Sequence, residues 1–239
     1  MLSDNMTSFT HTTFDCYGTL IDWEGGLGSF LYDLALRNGD SATPGAELRG
    51  RWEAIQFDVI GGDYLPYKEV LAESLRLWAD ERGYRLEDDA GDAFVRAMRS
   101  WQPFTDTTPA LGLVQEAGIK LIPISNTDHD ILDHSERHMR LRFDDRVTAQ
   151  DCRAYKPRDT VFEQALERIG VEPERILHVA FGFKYDIGPA KRAGMQTAWI
   201  NRHVEPLPSA TDAPDFEWRD LWGLAELVGA RVAPIAATA

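Results

Sequence analysis

Cysteine is scarce: the 239 residues contain two, Cys16 and Cys152. Two cysteines imply no disulfide framework, so a reducing compartment is the simpler setting. Basic residues are also few, with 25 Lys and Arg against 39 Asp and Glu and a formal charge of −14. Nucleic acid and anionic membrane are therefore poor default partners, because phosphates call for a basic face. No apolar run is long enough to span a bilayer, and the start Met1-Leu2-Ser3-Asp4-Asn5 lacks the basic-then-apolar order of a secretory leader. A cytoplasmic protein is expected. Internal repeats are absent. What is present is an ordinary supply of core-forming residues, 44% hydrophobic. The length suits one large domain, or one domain carrying an insertion.

Strand signals are missing from about Asp22 to Gln102. Helical spacing replaces them in Leu48, Trp52, Ile55, Val59 and again in Tyr67, Val70, Leu71, Leu75, Trp78. Further helices are expected over Gly28 to Asn38 and Leu86 to Trp101, with breaks at Asn38-Gly39-Asp40, Gly61-Gly62-Asp63 and Gly83. This reads as an all-helical insertion, residues 23–102, in a core made of residues 1–22 and 103–239.

From Pro103 onward strands and helices alternate. Strands are expected over Lys120–Ser125, Arg146–Ala149, Ile176–Phe181 and Gln196–Asn201. Helices are expected over Thr107–Glu116, Pro157–Ile169, Asp186–Ala193 and Leu221–Val228, with Asn126-Thr127-Asp128 supplying helix N-cap residues. Thr10-His11-Thr12-Thr13 is the first strand. Such alternation means βαβ units and a parallel, Rossmann-like α/β sheet with right-handed crossovers. The Ala-rich tail after Arg231 is expected to fray.

The polar residues gather at strand ends. Asp15 follows the first strand in Phe14-Asp15-Cys16-Tyr17-Gly18-Thr19-Leu20, and Ser125 and Asn126 end the second. Lys156 follows the third in Ala154-Tyr155-Lys156-Pro157, and Asp186 comes shortly after the fourth. In a parallel sheet these ends open on one crevice, where ligands bind. A carboxylate there can act as a nucleophile through an ester intermediate. Each residue has a plainer reading: a turn Asp, a helix cap, a solvated lysine. Cys16 reads as a small buried hydrophobe. One shared site is the more economical account of all four.

These positions resemble the four motifs of the haloacid dehalogenase superfamily, and the resemblance covers essentially the whole chain, including a helical cap inserted after the nucleophile strand. The closer likeness is to the 2-haloacid dehalogenase branch. Its signatures are similar to Phe14–Leu20, Ile124-Ser125-Asn126-Thr127-Asp128, Ala154–Pro157, and Leu177–Ala180 continuing through Asp186–Ala190. The resemblance implies an enzyme that hydrolyses short 2-haloacids, with Asp15 as nucleophile, Lys156 holding it ionised, Asp186 paired with Lys156 and placing water, and Ser125 and Thr19 hydrogen-bonding nucleophile or substrate. Asn126 would face the departing halide. Tyr17, Arg51, Trp52 and Phe181 would complete the substrate pocket. No metal or organic cofactor is implied. Family members are often dimers, so a homodimer is an expectation from resemblance alone.

Two absences decide within the superfamily. Its phosphatase branch has a second aspartate where this chain has Tyr17, and an additional acid for Mg²⁺ where this chain has Phe181. A magnesium-dependent phosphatase acting on a small phosphomonoester is the second hypothesis. A non-catalytic binding protein on the same fold is the third. One departure concerns the cap: related dehalogenases carry Trp-Arg-x-x-Gln, whereas here Trp52-Glu53-Ala54-Ile55-Gln56 puts Glu53 at the arginine position. Either Glu53 points away, or another cation such as Arg49 or Arg51 substitutes, or the substrate differs. Lys184 is an unusual extra cation in the fourth motif, with the reading of a surface residue.

Overall fold

β1 (His11–Phe14) lies at the centre of a six-stranded parallel sheet ordered β3-β2-β1-β4-β5-β6. The computed structural model describes residues 9–229, so the expectation of a frayed tail lies outside the described residues. Thr12, Thr13 and Phe14 are fully buried because β1 is covered on both faces and paired on both edges. Phe14 registers with Pro123 of β2 (Lys120–Ser125) and with Val179 of β4 (Ile176–Ala180). β3 (Val147–Thr148), β5 (Gln196–Ile200) and β6 (Phe216–Trp218) complete the sheet. The α/β parallel fold expected from the alternation is the fold observed.

Four consecutive helices follow β1: α1 (Trp23–Arg37), α2 (Gly45–Gly61), α3 (Tyr67–Arg82) and α4 (Ala90–Met98). They pack on one another as a helical cap, in which Trp52, Trp78, Phe94, Leu27 and Leu31 are fully enclosed, and their apolar cluster runs on into that of the sheet, with Phe14, Leu177 and Val179. The chain leaves and rejoins the sheet at one place, where Ile21 bridges to Pro103 and the Asp22 N–H donates to Gln102 O at 2.9 Å. α5 (Thr107–Glu116), α6 (His129–Met139), α7 (Ala149–Cys152), α8 (Asp159–Ile169), α9 (Gly188–Arg192) and α10 (Trp222–Leu227) are the helices of the core. Among the described residues no helix is long and apolar enough to cross a membrane.

Three elements differ from the reading of the sequence. α1 starts five residues before Gly28, because the Asp22 carboxylate accepts from Gly25 N–H at 3.0 Å and caps it there. The helix expected over 186–193 is a π-helical turn, Phe183–Ile187, followed by α9. β6 was not anticipated; its three residues are too few for an alternating pattern.

Asp128 does more than begin α6. Its carboxylate reaches across to the cap and accepts the N–H groups of Tyr67 (3.0 Å) and Lys68 (3.1 Å), the first residues of α3. Helix N-termini leave such donors unpaired and favour a negative group. A core loop thus caps a cap helix.

Candidate active site

β1 ends by presenting Asp15, whose N–H still pairs with Val179 O at 3.1 Å. The chain then turns sharply at Gly18, whose φ is +98°, a region that disfavours residues with a side chain. A Cβ at Gly18 would also lie 2.5 Å from the Phe181 ring. The tight turn lets the Thr19 hydroxyl donate to Asp15 Oδ2 at 2.7 Å while accepting the Phe181 N–H at 2.9 Å. Phe181 is fixed in turn by its carbonyl, which accepts from Trp199 Nε1 at 3.0 Å.

Lys156 is fully enclosed, and its three ammonium hydrogens have three partners: Asp15 Oδ1 at 3.0 Å, Asp186 Oδ1 at 2.6 Å and Ile124 O at 2.8 Å. Asn126 holds the lysine backbone from both sides, accepting Lys156 N–H at 2.8 Å and donating to Lys156 O at 3.0 Å. Asp186 Oδ1 also faces His178 Nε2 at 3.2 Å, and His178 Nδ1 lies 2.8 Å from the Thr13 hydroxyl. An ionised carboxylate only accepts, so Nε2 carries the proton and Nδ1 accepts from Thr13. The result is one buried chain: Thr13, His178, Asp186, Lys156, Asp15, Thr19. Asp186 Oδ2 remains beside Gly182, where a Cβ would come within 2.7 Å of it.

The charges are unequal in consequence. Burial would raise Asp186, but Lys156 and His178 more than offset it and hold the carboxyl below the ordinary range. Burial would lower Lys156, but its two carboxylates more than offset that and keep it firmly protonated. Burial raises Asp15 above the ordinary carboxylate range; Lys156 opposes the rise and the charge of Asp186 adds to it.

A cavity of about 240 Å³ opens above this chain, between the strand ends and α2. Asp15, Lys156, Asp186, Ser125, Asn126, Tyr17 and Phe181 line it, so the structure brings these candidate residues together. The Ser125 hydroxyl lies 3.2 Å from that of Thr127, and the Tyr17 hydroxyl 2.7 Å from that of Ser135. Thr19 reaches the site only through its hydrogen bond to Asp15.

Arg51 and Trp52 are not part of the site, contrary to the expectation from sequence. Successive helix residues are turned by about 100°, and α2 shows the cavity Glu53 and Gln56. Arg51 therefore points to the outer side and pairs with Glu81 of α3 at 2.7 Å, while Trp52 is buried against Phe94 with ring centroids 5.2 Å apart. Glu53 faces the cavity rather than away from it. Arg49 does not replace the missing arginine, since it pairs with Glu24 at 2.6 Å and Glu53 at 3.2 Å. His178, Trp23, Gln56, Lys184 and Tyr185 are parts of the site that the sequence reading did not assign, and Tyr67 of the cap also lines it. His178 left one signal, a polar residue inside the apolar strand Ile176-Leu177-His178-Val179-Ala180.

The two carboxylates do not form an evident magnesium site. The Lys156 ammonium stands between them, Phe181 supplies no oxygen, and no group of three or more His, Cys, Asp or Glu among the described residues is arranged to hold a metal.

An (S)-2-haloacid dehalogenase of Pseudomonas sp. (strain YL) is 26% identical over 223 residues, 90% of this chain and 92% of the relative. Haloacetate dehalogenase H-2 of Moraxella sp. (strain B) is 27% identical over 215 residues, 85% of this chain and 90% of the relative. A crystal structure of an L-2-haloacid dehalogenase superposes with a TM-score of 0.82 at 26% identity, covering 94% of this chain and 100% of the other. Haloacid dehalogenase-like hydrolases as a family match residues 11–194, over three quarters of the sequence. With an aspartate at the end of the first strand, a buried lysine between two aspartates and a helical cap over the crevice, the chain belongs to the haloacid dehalogenase-like hydrolase family.

Proposed function

We propose that the protein hydrolyses the carbon–halogen bond of short 2-haloacids, giving 2-hydroxy acids without a metal or organic cofactor. The observation that carries this reading is the composition of the site around Asp15. A nucleophilic carboxylate is held by Lys156 and Thr19, while the positions that would protonate an alcohol or bind Mg²⁺ are Tyr17 and Phe181. A halide leaves without a proton, so neither missing acid is needed.

In the first half-reaction an Asp15 oxygen attacks C2 in line, the carbon–halogen bond breaks, and the halide leaves with the bonding pair. An alkyl ester on Asp15 results. Lys156 favours the ionised form of Asp15 against the burial that raises its carboxyl. Water then attacks the ester carbonyl on Asp15. Asp186 lines the cavity, and its Oδ2 is the oxygen left to accept the water proton, because Oδ1 is occupied by Lys156 and His178. Collapse of the tetrahedral intermediate returns Asp15 and frees the hydroxy acid. The balance is haloacid plus water giving hydroxy acid, proton and halide. Tyr17, Phe181 and Tyr67 enclose the reacting carbon in an apolar wall that limits water at the first step.

The experiment is halide release from chloro-, bromo- and fluoroacetate and from 2-chloropropionate, with and without EDTA. Release that persists in EDTA, is abolished by Asp15→Asn, and leaves an ester adduct detectable by intact mass supports the reading. No halide from any of these acids, or EDTA-sensitive turnover of p-nitrophenyl phosphate with Mg²⁺, overturns it.

A further inference from the structure

A 2-haloacid is an anion, and the cavity is short of positive charge. Four carboxylates line it, Asp15, Glu53, Asp186 and Glu205, against two cations, Lys156 and Lys184. Lys156 has no hydrogen left for a ligand, since all three are directed to Asp15, Asp186 and Ile124 O. The cap arginines are engaged elsewhere: Arg49 with Glu24 and Glu53, Arg51 with Glu81. An anionic substrate entering such a site meets repulsion unless one cation answers it.

Lys184 has the geometry to do so. Lys184 is exposed at the edge of the cavity, its ammonium lies 3.1 Å from the centroid of the Phe57 ring of α2, and among the described residues it makes no ion pair. A ring face attracts an ammonium without neutralising it. It also occupies one side of the group, leaving N–H bonds for an anion. Phe57 is itself set edge-on to Tyr185, with centroids 5.5 Å apart, so the ring is anchored to the same turn that carries the lysine. That turn, Phe183–Ile187, also carries Asp186, which ties Lys184 and the reacting carboxylates to one piece of backbone.

We propose that Lys184 binds the substrate carboxylate in this cavity, so that the anion is recognised from the core turn beside Asp186 instead of from an arginine on the cap, with Phe57 as the ring that holds the lysine in place. This rests on the haloacid reading of the site and names how that substrate is selected. Glu53, on the cap wall, then disfavours a second negative charge once it is ionised, above about pH 7, which restricts the ligand to a monoanion there.

The test compares wild type, Lys184→Met and Lys184→Arg by chloride release from chloroacetate and from neutral chloroacetamide. A charge-assisted hydrogen bond contributes enough that Lys184→Met should raise KM for chloroacetate about tenfold or more, and lower the chloroacetate-to-chloroacetamide ratio of kcat/KM by a similar factor. Lys184→Arg should restore most of both. Dissociation constants of chloroacetate for Asp15→Asn and for Asp15→Asn/Lys184→Met, read by calorimetry, separate binding from turnover. Constants that agree within about twofold, or an unchanged substrate ratio in Lys184→Met, overturn the role of Lys184. A wild type that releases no chloride overturns the dehalogenase reading alone, and the binding comparison then still decides for or against Lys184 as an anion site.

Discussion

Glu53 is the residue whose environment differs most from its sequence neighbourhood. It faces the cavity half-buried, and burial raises its carboxyl to about 7, with Arg49 opposing the rise and Glu24 adding to it. A carboxyl with a folded value above its unfolded one binds more protons in the folded state between those values. Its effect on stability is therefore most favourable below about 4.5 and is lost as pH rises through about 7. Glu53→Gln removes that dependence. The variant should match the parent near pH 5 and melt higher near pH 8, by ~2 °C, since a side chain 37% exposed is largely screened. Equal melting-temperature differences at the two pH values would count against it. The strand-end residues Asp15, Lys156 and Asp186 were legible in the sequence because each follows a strand by a few residues. The cavity wall was not: Glu53 and Lys184 lie 131 positions apart and meet one space only through the docking of α2 on the Phe183–Ile187 turn.

At the scale of elements, several polar contacts join core and cap, among them Arg158 to Gly61 O and Gly62 O and Asp130 with Lys68 and Arg99, and Asp128 is the one that holds the start of α3. Its carboxylate satisfies two N–H groups at the start of α3, one of them buried. Tyr155 adds a second tie, donating its hydroxyl to Leu65 O at 2.7 Å just before that helix. Asp128→Ala should cost about 1–2 kcal/mol, read as a lower urea midpoint, because the helix start loses both its acceptor and its negative charge. Asp128→Asn, which keeps an acceptor oxygen, should recover part of that loss. A midpoint unchanged in the alanine variant would show that the two helices dock without this contact. Sequence placed Asp128 as a cap of its own helix, α6, which is the local reading of Asn126-Thr127-Asp128. Local propensity does not say which helix a cap side chain reaches. The same limit explains α1, where Gly25, Gly26 and Gly28 obscured a helix start that the Asp22 cap establishes, and β6, whose partner β5 defines it.

The whole molecule has a formal charge of −14, and its proposed substrates share that sign. The two facts act at different ranges. Near the site the proposal gives binding to a single cation, Lys184, within contact distance. Farther out the summed field of the acidic surface opposes the approach of any anion, and that part is screened by salt, with a Debye length of about 10 Å at 0.1 M. Added NaClO₄ or NaCl would compete at the site, so a bulky, weakly competing electrolyte such as sodium MES suits the measurement. Raising ionic strength from about 0.01 to 0.2 M, at fixed pH, should increase kcat/KM for chloroacetate by about two- to threefold, because the Debye length shortens from about 30 Å to under about 10 Å and repulsion from surface charges beyond it is screened. The value for chloroacetamide should stay flat, since a neutral ligand feels no such field. A rate that falls with ionic strength for chloroacetate alone would mean that the local cation, rather than the acidic surface, governs capture, and the −14 charge would then have no bearing on how the substrate arrives.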